Sequence, residues 1–315
     1  MYAMKILPVF KDYLWGGDRL NERFGFDSGL SVTAEAWILS CHKDGESVVA
    51  NGAFKGKTLS EVLKANPEFL GGDLSELPVL IKFIDAKDNL SLQVHPDEEY
   101  AVKYENDHGK TEAWYILDCE ENSQLILGFE ATISREEMRE AIENNTILSK
   151  VNNINVNKGD IYFIPAGTIH AIGKGNLILE VQQNSNATYR VYDYGRLQNG
   201  KPRELHIEKS LDVTNTQKLQ KPVQSPETVE FNGYTKTKLV DCDIFSLERF
   251  DINEKAVLSS DETGFVSVIC VDGNGILSLG DAEEKIKAGD SFFIPAKMGE
   301  FLLNGNLSVL ITKKS

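Results

Sequence analysis

Residues 159–170 read GDIYFIPAGTIH, which has the form of a strand, a tight turn and a second strand. Residues 161–164 are strong β-formers, and the segment 165–167 contains the proline and glycine that break this run and turn the chain. His170 then enters a second short apolar run, where alternation places it on the opposite face from its apolar neighbours. A histidine held on a strand in this way is rigid, as a metal ligand must be, although most such residues are hydrogen-bonded core or edge histidines.

The same pattern occurs a second time near the C-terminus, where residues 289–301 read GDSFFIPAKMGEF. A repeat of this kind indicates duplicated architecture. In the second copy Glu300 stands in place of His170, and none of the five histidines lies beyond His206. The sequence therefore predicts two β-domains of one type, of which the first alone can hold a metal.

Length and composition indicate a globular protein of one large or two ordinary domains. The chain has 315 residues, of which 41% are hydrophobic and 26% charged. The net charge of −15 argues against nucleic acid or an anionic membrane as a partner. An anionic substrate would therefore need cations placed locally in the site.

Cysteine usage and the N-terminus predict a cytoplasmic location. The four cysteines are widely spaced and form no C-x-x-C pair, as expected for reduced thiols. The N-terminal run MYAMKILPVF is too short for a signal peptide, and no apolar run approaches membrane-spanning length. No obligate protein partner is evident from the sequence.

Two earlier strands carry further candidate ligands. Gln93 and His95 share one strand face, opposite strongly apolar residues, although paired polar side chains of this kind often form a solvated face. Lys110 and Glu112 also share one face of a strand. His108, just before them, is interpreted as a loop histidine.

A later strand and the loop after it add two more candidates. Glu180 is a carboxylate on the face opposite the apolar residues of its strand. Arg190 follows ten residues later, and a structural arginine paired with the nearby Asp193 is the alternative interpretation.

Short helices and a proline-containing linker interrupt the strands. Capping-box spacings at Thr58–Glu61 and Ser134–Glu137 predict two helix starts in the first half of the chain. The resulting division is a catalytic metal-binding domain with short helical insertions over 1–220, a linker over 221–235, and a second domain without metal over 236–315.

The pattern G-x5-P-x-G-x2-H resembles the second half of the cupin signature, whose histidine binds a divalent metal in a small β-barrel. An asparagine often lies four positions after that histidine in cupins, and here the position is Lys174. The predicted fold class is therefore all-β dominated, with two cupin-type β-barrels or jelly rolls and a few short helices inserted in the first half.

The whole chain more specifically resembles the short bacterial type I mannose-6-phosphate isomerases. The resemblance rests on WGG at 15–17, QVHPD at 93–97, GKTEAWY at 109–115, PAGTIHAI at 165–172 and EVQQNSNATYRVYDY at 180–194. It implies interconversion of mannose 6-phosphate and fructose 6-phosphate, a small phosphosugar reaction in which a proton moves between C2 and C1 through an enediol.

The resemblance also implies a set of site residues. One zinc ion would be bound by four ligands, namely Gln93, His95, Glu112 and His170. Two imidazoles, a carboxylate and an amide oxygen suit zinc, although ligand type alone also admits iron(II) or manganese. Lys110 and Arg190 would hold the phosphate or the enediolate. Glu180 is the preferred base, with a zinc-bound water as its rival.

Two other functional classes remain as alternatives. A cupin oxygenase using iron(II) is disfavoured because Gln93 stands where such enzymes usually carry a second histidine, and because Lys110 and Arg190 would have no role. A non-catalytic sugar-binding cupin is disfavoured because the first half keeps every candidate ligand that the second half lacks. Oxygen consumption with iron, or zinc binding without turnover, would revive them.

Overall fold

Strands dominate the computed structural model of the chain, which describes residues 1–219 and 226–314. In chain order the strands β1 to β23 are Met4–Leu7, Val9–Lys11, Glu35–Leu39, Val48–Val49, Val79–Ala86, Leu92–Val94, Glu112–Cys119, Gln124–Phe129, Val151–Asn155, Ile161–Ile164, His170–Ile172, Asn176–Gln183, Tyr189–Tyr192, Leu197–Gln198, Lys201–Pro202, Glu227–Phe231, Tyr234–Asp241, Phe245–Ile252, Lys255–Ser260, Val266–Leu279, Ala282–Lys287, Ser291–Ile294 and Gly299–Lys314. The helices α1 to α5 are Arg19–Phe24, Leu59–Ala65, Glu98–Tyr104, Arg135–Glu143 and Ile207–Val213.

Two antiparallel sheets face each other in the first half of the chain. One has the strand order β10-β7-β12-β5-β3-β2, and the other has the order β13-β6-β11-β8-β9. Apolar side chains from both sheets, among them Trp114, Leu127 and Ile178, form one buried cluster between them. The mostly-β, cupin-related fold predicted from the sequence is confirmed, and the space between these sheets is where the candidate site lies.

The second half forms a ten-stranded sheet that also recruits the start of the chain. Its main path is β16-β17-β18-β23-β20-β22-β1-β4, with β19 paired to β23 and β21 to β20. One hydrophobic core contains Phe83 from the first half together with Phe245 and Phe293 from the second. The two halves therefore share buried surface.

These pairings bear on the predicted division of the chain. Strand β16, Glu227–Phe231, occupies part of the segment predicted as a linker, while 221–225 of that segment lies outside the described residues. Strand β1 belongs to the sheet of the second half, although the predicted first domain includes it. The boundaries at 220 and 236 stay a prediction.

The sequence repeat corresponds to a repeated backbone. Strands β10 and β22 occupy equivalent positions, and each follows a left-handed glycine, Gly159 at φ 91° and Gly289 at φ 93°. The turn after each strand is also left-handed, with φ 81° at Gly167 and 63° at Lys297. A lysine rarely adopts this conformation, so the turn geometry is retained where its glycine is not.

Both predicted capping boxes are present. Thr58 and Glu61 exchange side-chain and backbone hydrogen bonds at the start of α2, and Ser134 and Glu137 do the same at the start of α4. Within the described ranges, no helix is long and apolar enough to cross a membrane.

Candidate active site

Three buried side chains from different strands meet between the two facing sheets. Glu112 begins β7 in one sheet, whereas His170 begins β11 in the other and His95 directly follows β6. One ligand atom from each of these residues lies within 4.8 Å of the others. The Nε2 atoms of the two histidines are 3.1 Å apart, and the Glu112 carboxylate oxygens lie 3.3 Å from His170 Nε2 and 3.5 Å from His95 Nε2.

Backbone carbonyls orient both imidazoles. His95 Nδ1 lies 2.8 Å from Ala187 O, and His170 Nδ1 lies 2.8 Å from Thr168 O. Because a carbonyl can only accept, each Nδ1 carries the proton and each Nε2 directs a lone pair into the cluster. Metal-binding histidines are held by outer hydrogen bonds of this type.

The charge state of the cluster also suits a cation. Burial is the main cause that lowers the pKa of His170 to about 3, and the Lys110 ammonium is the second. The same two causes hold the pKa of His95 well below its ordinary value. Burial and nearby Glu180 raise the pKa of Glu112 to about 7, and within the described part of the chain its Oε1 accepts no hydrogen bond. Two neutral imidazoles and a buried oxygen without a donor are what a divalent ion would satisfy.

Gln93 and Lys110 border the same cluster. The Gln93 amide nitrogen lies 3.4 Å from His170 Nε2. The two residues are direct partners in the antiparallel pairing of β6 with β11. Lys110 donates to Glu112 Oε2 at 2.7 Å and to His95 Nε2 at 2.9 Å. All four candidate ligands and the candidate lysine are thus brought together by the fold.

Gln93 and Lys110, which border the cluster, also line a polar cavity of about 300 Å³. Four cationic side chains line it: Lys82, Lys110, Arg190 and Arg203. These are the local cations that an anionic substrate requires in a protein of net charge −15. A wider cleft of about 740 Å³ in the second half is lined by acidic, amide, aromatic and aliphatic side chains. No lysine or arginine lines it among the described residues, so it does not suit an anion.

Comparison with known proteins places the chain in a family. Residues 3–131 match the family model of the type I phosphomannose isomerase catalytic domain, and residues 235–313 match that of the mannose-6-phosphate isomerase cupin domain. The mannose-6-phosphate isomerase ManA of Bacillus subtilis is 38% identical over 311 residues, which cover 97% of this chain and 96% of that protein. The chain belongs to the type I mannose-6-phosphate isomerase family. It is an isomerase.

Solved structures agree with this assignment. The crystal structure of the mannose 6-phosphate isomerase from Bacillus subtilis aligns with a TM-score of 0.93 at 38% identity, over 99% of both chains. A second mannose 6-phosphate isomerase, described as holo and zinc bound, aligns over 100% of both chains with a TM-score of 0.82 at 18% identity. At that identity the second comparison shows the shared fold.

Lys82 also lines the cavity of the isomerase, and sequence reasoning missed it. It lies on β5, and its ammonium is 2.7 Å from Glu180 Oε2 and 3.7 Å from Glu35 Oε1. A single lysine inside the run LPVLIKFIDA was the signal available, because buried lysines require a carboxylate partner.

Glu180 is held by one hydrogen bond and one ion pair. Trp114 Nε1 donates to its Oε1 at 2.7 Å, and Lys82 pairs with its Oε2. Burial alone would raise the pKa of Glu180, but Lys82 and Lys110 outweigh that effect and lower it to about 2. Glu180 is therefore ionised at neutral pH.

The two arginines of the cavity differ in their partners. Arg190 donates to Glu204 O at 2.8 Å, whereas Asp193 pairs with Arg196 and, at 3.0 Å, with Arg203. The alternative interpretation of Arg190 as the ion-pair partner of Asp193 is not what the structure shows. Arg203 was not predicted, because it lies beyond the motif that carries Arg190.

Proposed function

We propose that this isomerase interconverts mannose 6-phosphate and fructose 6-phosphate at the cavity beside the His95–Glu112–His170 cluster. The observation that supports it best is the combination of a buried two-histidine, one-carboxylate cluster with a cavity lined by four cations. A metal that polarises sugar oxygens and cations that hold a phosphate both suit this reaction.

Zinc is the metal we assign to the cluster, with Gln93, His95, Glu112 and His170 as its ligands and one ion per chain. Zinc would act as a Lewis acid on the oxygens at C1 and C2 of the sugar. The ligand set, the tautomers of both histidines and the buried oxygen of Glu112 support this assignment.

Glu180 is the proposed group that moves the proton between C2 and C1. Its ion pair with Lys82 keeps it in the ionised form that can accept a proton, but the same pair lowers its basicity. As negative charge develops on the sugar oxygens, the Lys82 ammonium is drawn toward them, and the proton affinity of Glu180 rises. Glu180 would thus transfer the proton while Lys82 stabilises the negative charge on the sugar oxygens.

The phosphate is assigned to the arginine side of the cavity. Arg190 and Arg203 line it together, and Arg203 approaches Ser91 Oγ at 3.5 Å. Guanidinium groups match phosphate geometry with two parallel donors, whereas Lys110 lies against the metal cluster. Arg190 and Arg203 would therefore hold the phosphate. Lys110 would stabilise the negative charge that develops on the sugar oxygens at C1 and C2. The cytoplasmic location of the protein and its lack of an obligate protein partner stay predictions of the sequence.

The test is turnover of mannose 6-phosphate by zinc-loaded protein, with fructose 6-phosphate detected directly. Mannose without the phosphate serves as the matched control, and we expect its kcat/KM to be lower by a factor of about 10² or more, since the two arginines would be left without their partner. Folded, zinc-loaded protein that turns over neither sugar would contradict the proposal and favour the sugar-binding alternative. Oxygen consumption by iron-loaded protein would favour the oxygenase.

A further inference from the structure

The segment that carries Lys110 is attached to the start of helix α3 through a single carboxylate. Glu98 Oε1 lies 2.9 Å from His108 Nδ1, and Glu98 Oε2 accepts from Gly109 N at 2.9 Å and from Gln183 Nε2 at 3.2 Å. Two other parts of the chain, residues 108–109 and Gln183, therefore converge on one side chain. Glu98 has no place in the proposed chemistry.

Backbone contacts reinforce this attachment. Lys110 N donates to Pro96 O at 3.0 Å. A Cβ atom at Gly109 would lie 2.5 Å from Glu98 N and 2.7 Å from Asp97 C, so a glycine is needed for this close approach. The segment 108–110 is thus packed directly on the residues that follow the candidate ligand His95.

His108 completes the arrangement from the outside. Its Nε2 lies 2.8 Å from Glu76 Oε1, so the imidazole bridges two carboxylates. The charged residues that line the surrounding cleft are otherwise acidic, namely Asp73, Glu76, Asp97, Glu98 and Asp243. Partial burial opposes the charge on His108, but hydrogen bonding to Glu98 and attraction to Glu76 outweigh it and raise its pKa.

We propose that Glu98 is a positioning residue, whose carboxylate holds segment 108–110 and so fixes the Lys110 ammonium beside the metal cluster. This inference rests on the proposed function. Lys110 donates to Glu112 Oε2 at 2.7 Å, and displacement of its backbone would lengthen this contact. Catalytic groups displaced by about 1 Å can lose a factor of about 10² in rate.

The test compares Glu98→Ala and Glu98→Gln with Glu99→Ala, the exposed neighbour in the same helical turn. All are assayed zinc-loaded, with kcat and KM separated. Glu98→Ala is expected to lower kcat by about tenfold or more, with KM and zinc content little changed. Glu98→Gln keeps an oxygen for Gly109 N–H and is expected to recover part of the loss. Glu99→Ala is expected to match the wild type.

Hydrogen exchange gives a readout that does not depend on activity. In Glu98→Ala, the amide of Gly109 loses its acceptor and is expected to exchange faster, whereas in Glu99→Ala it is not. Unchanged kcat or unchanged exchange at Gly109 in Glu98→Ala overturns the inference, even when the wild type isomerises mannose 6-phosphate. Loss of zinc from Glu98→Ala also overturns it, since the role would then be structural support of the ligands. An inactive wild type instead overturns the proposed function.

Discussion

Lys82 and Glu180 are the residues at which charge and burial are most tightly linked. Both are at least nine-tenths buried, and each is the nearest counter-charge of the other at 2.7 Å. Removal of one partner leaves the other buried charge without its nearest counter-charge, and breaking a buried pair in this way typically costs about 3–5 kcal/mol of stability. Single and double substitutions of this pair can therefore distinguish its effect on catalysis from its effect on stability.

We predict that Lys82→Met lowers kcat and makes it fall with decreasing pH in a range where the wild type is flat. In the wild type the pKa of Glu180 is about 2, so Glu180 stays ionised near neutral pH. Without Lys82, burial is opposed only by Lys110 and Trp114, so that pKa rises, and the ionised fraction then falls as pH decreases toward it. The measurement is kcat against pH with excess zinc, and Lys87→Met, at an exposed lysine nearby, is the control.

The double variant Lys82→Met/Glu180→Gln separates the two effects. It removes both charges, so we expect it to recover much of the lost stability but none of the activity. A Lys82→Met protein with the pH profile and kcat of the wild type would contradict the role assigned to the pair.

Strand β1 is the element that joins the two halves of the molecule. It lies between β22 and β4 in the ten-stranded sheet, although it begins the chain. Ile6 is 3% exposed in the shared core, whereas the next residue, Leu7, is 48% exposed on the other face. The alternation of one short strand therefore determines whether the N-terminus contributes to the core.

We predict that Ile6→Ala destabilises the whole protein by about 2–5 kcal/mol, because it removes buried methyl groups from a core that both halves share. Leu7→Ala should cost less than about 0.5 kcal/mol. The measurement is denaturant unfolding followed by far-UV circular dichroism and by tryptophan fluorescence, since all three tryptophans, Trp15, Trp37 and Trp114, lie in the first half. A fluorescence transition that stays in place while the dichroism transition shifts would show that the halves unfold independently.

For the whole molecule, sequence reasoning succeeded where the signal is local and periodic. The strand–turn–strand at 159–170, its repeat and both capping boxes depend on neighbouring residues, and alternation correctly placed Gln93 and His95 on one face. The convergence of the candidate ligands was expected from family resemblance, because alternation on separate strands cannot show which strands face each other.

Long-range pairing explains what was missed. The partner of Lys82, Glu180, comes from a distant part of the chain, and the pairing of β1 with β22 joins residues near opposite ends. Hydrophobic patterns predict that a strand exists but not its neighbours in the sheet, so such contacts cannot be found from one sequence.

The most direct test of the central claim is a zinc titration of metal-stripped protein, with mannose 6-phosphate turnover measured at each addition. We predict negligible turnover without metal and a linear increase that ends at one zinc per chain. His170→Ala, which removes one imidazole from the cluster, should remain inactive at the same zinc concentrations. Turnover that survives complete removal of metal, or that His170→Ala retains, would contradict the account of this site.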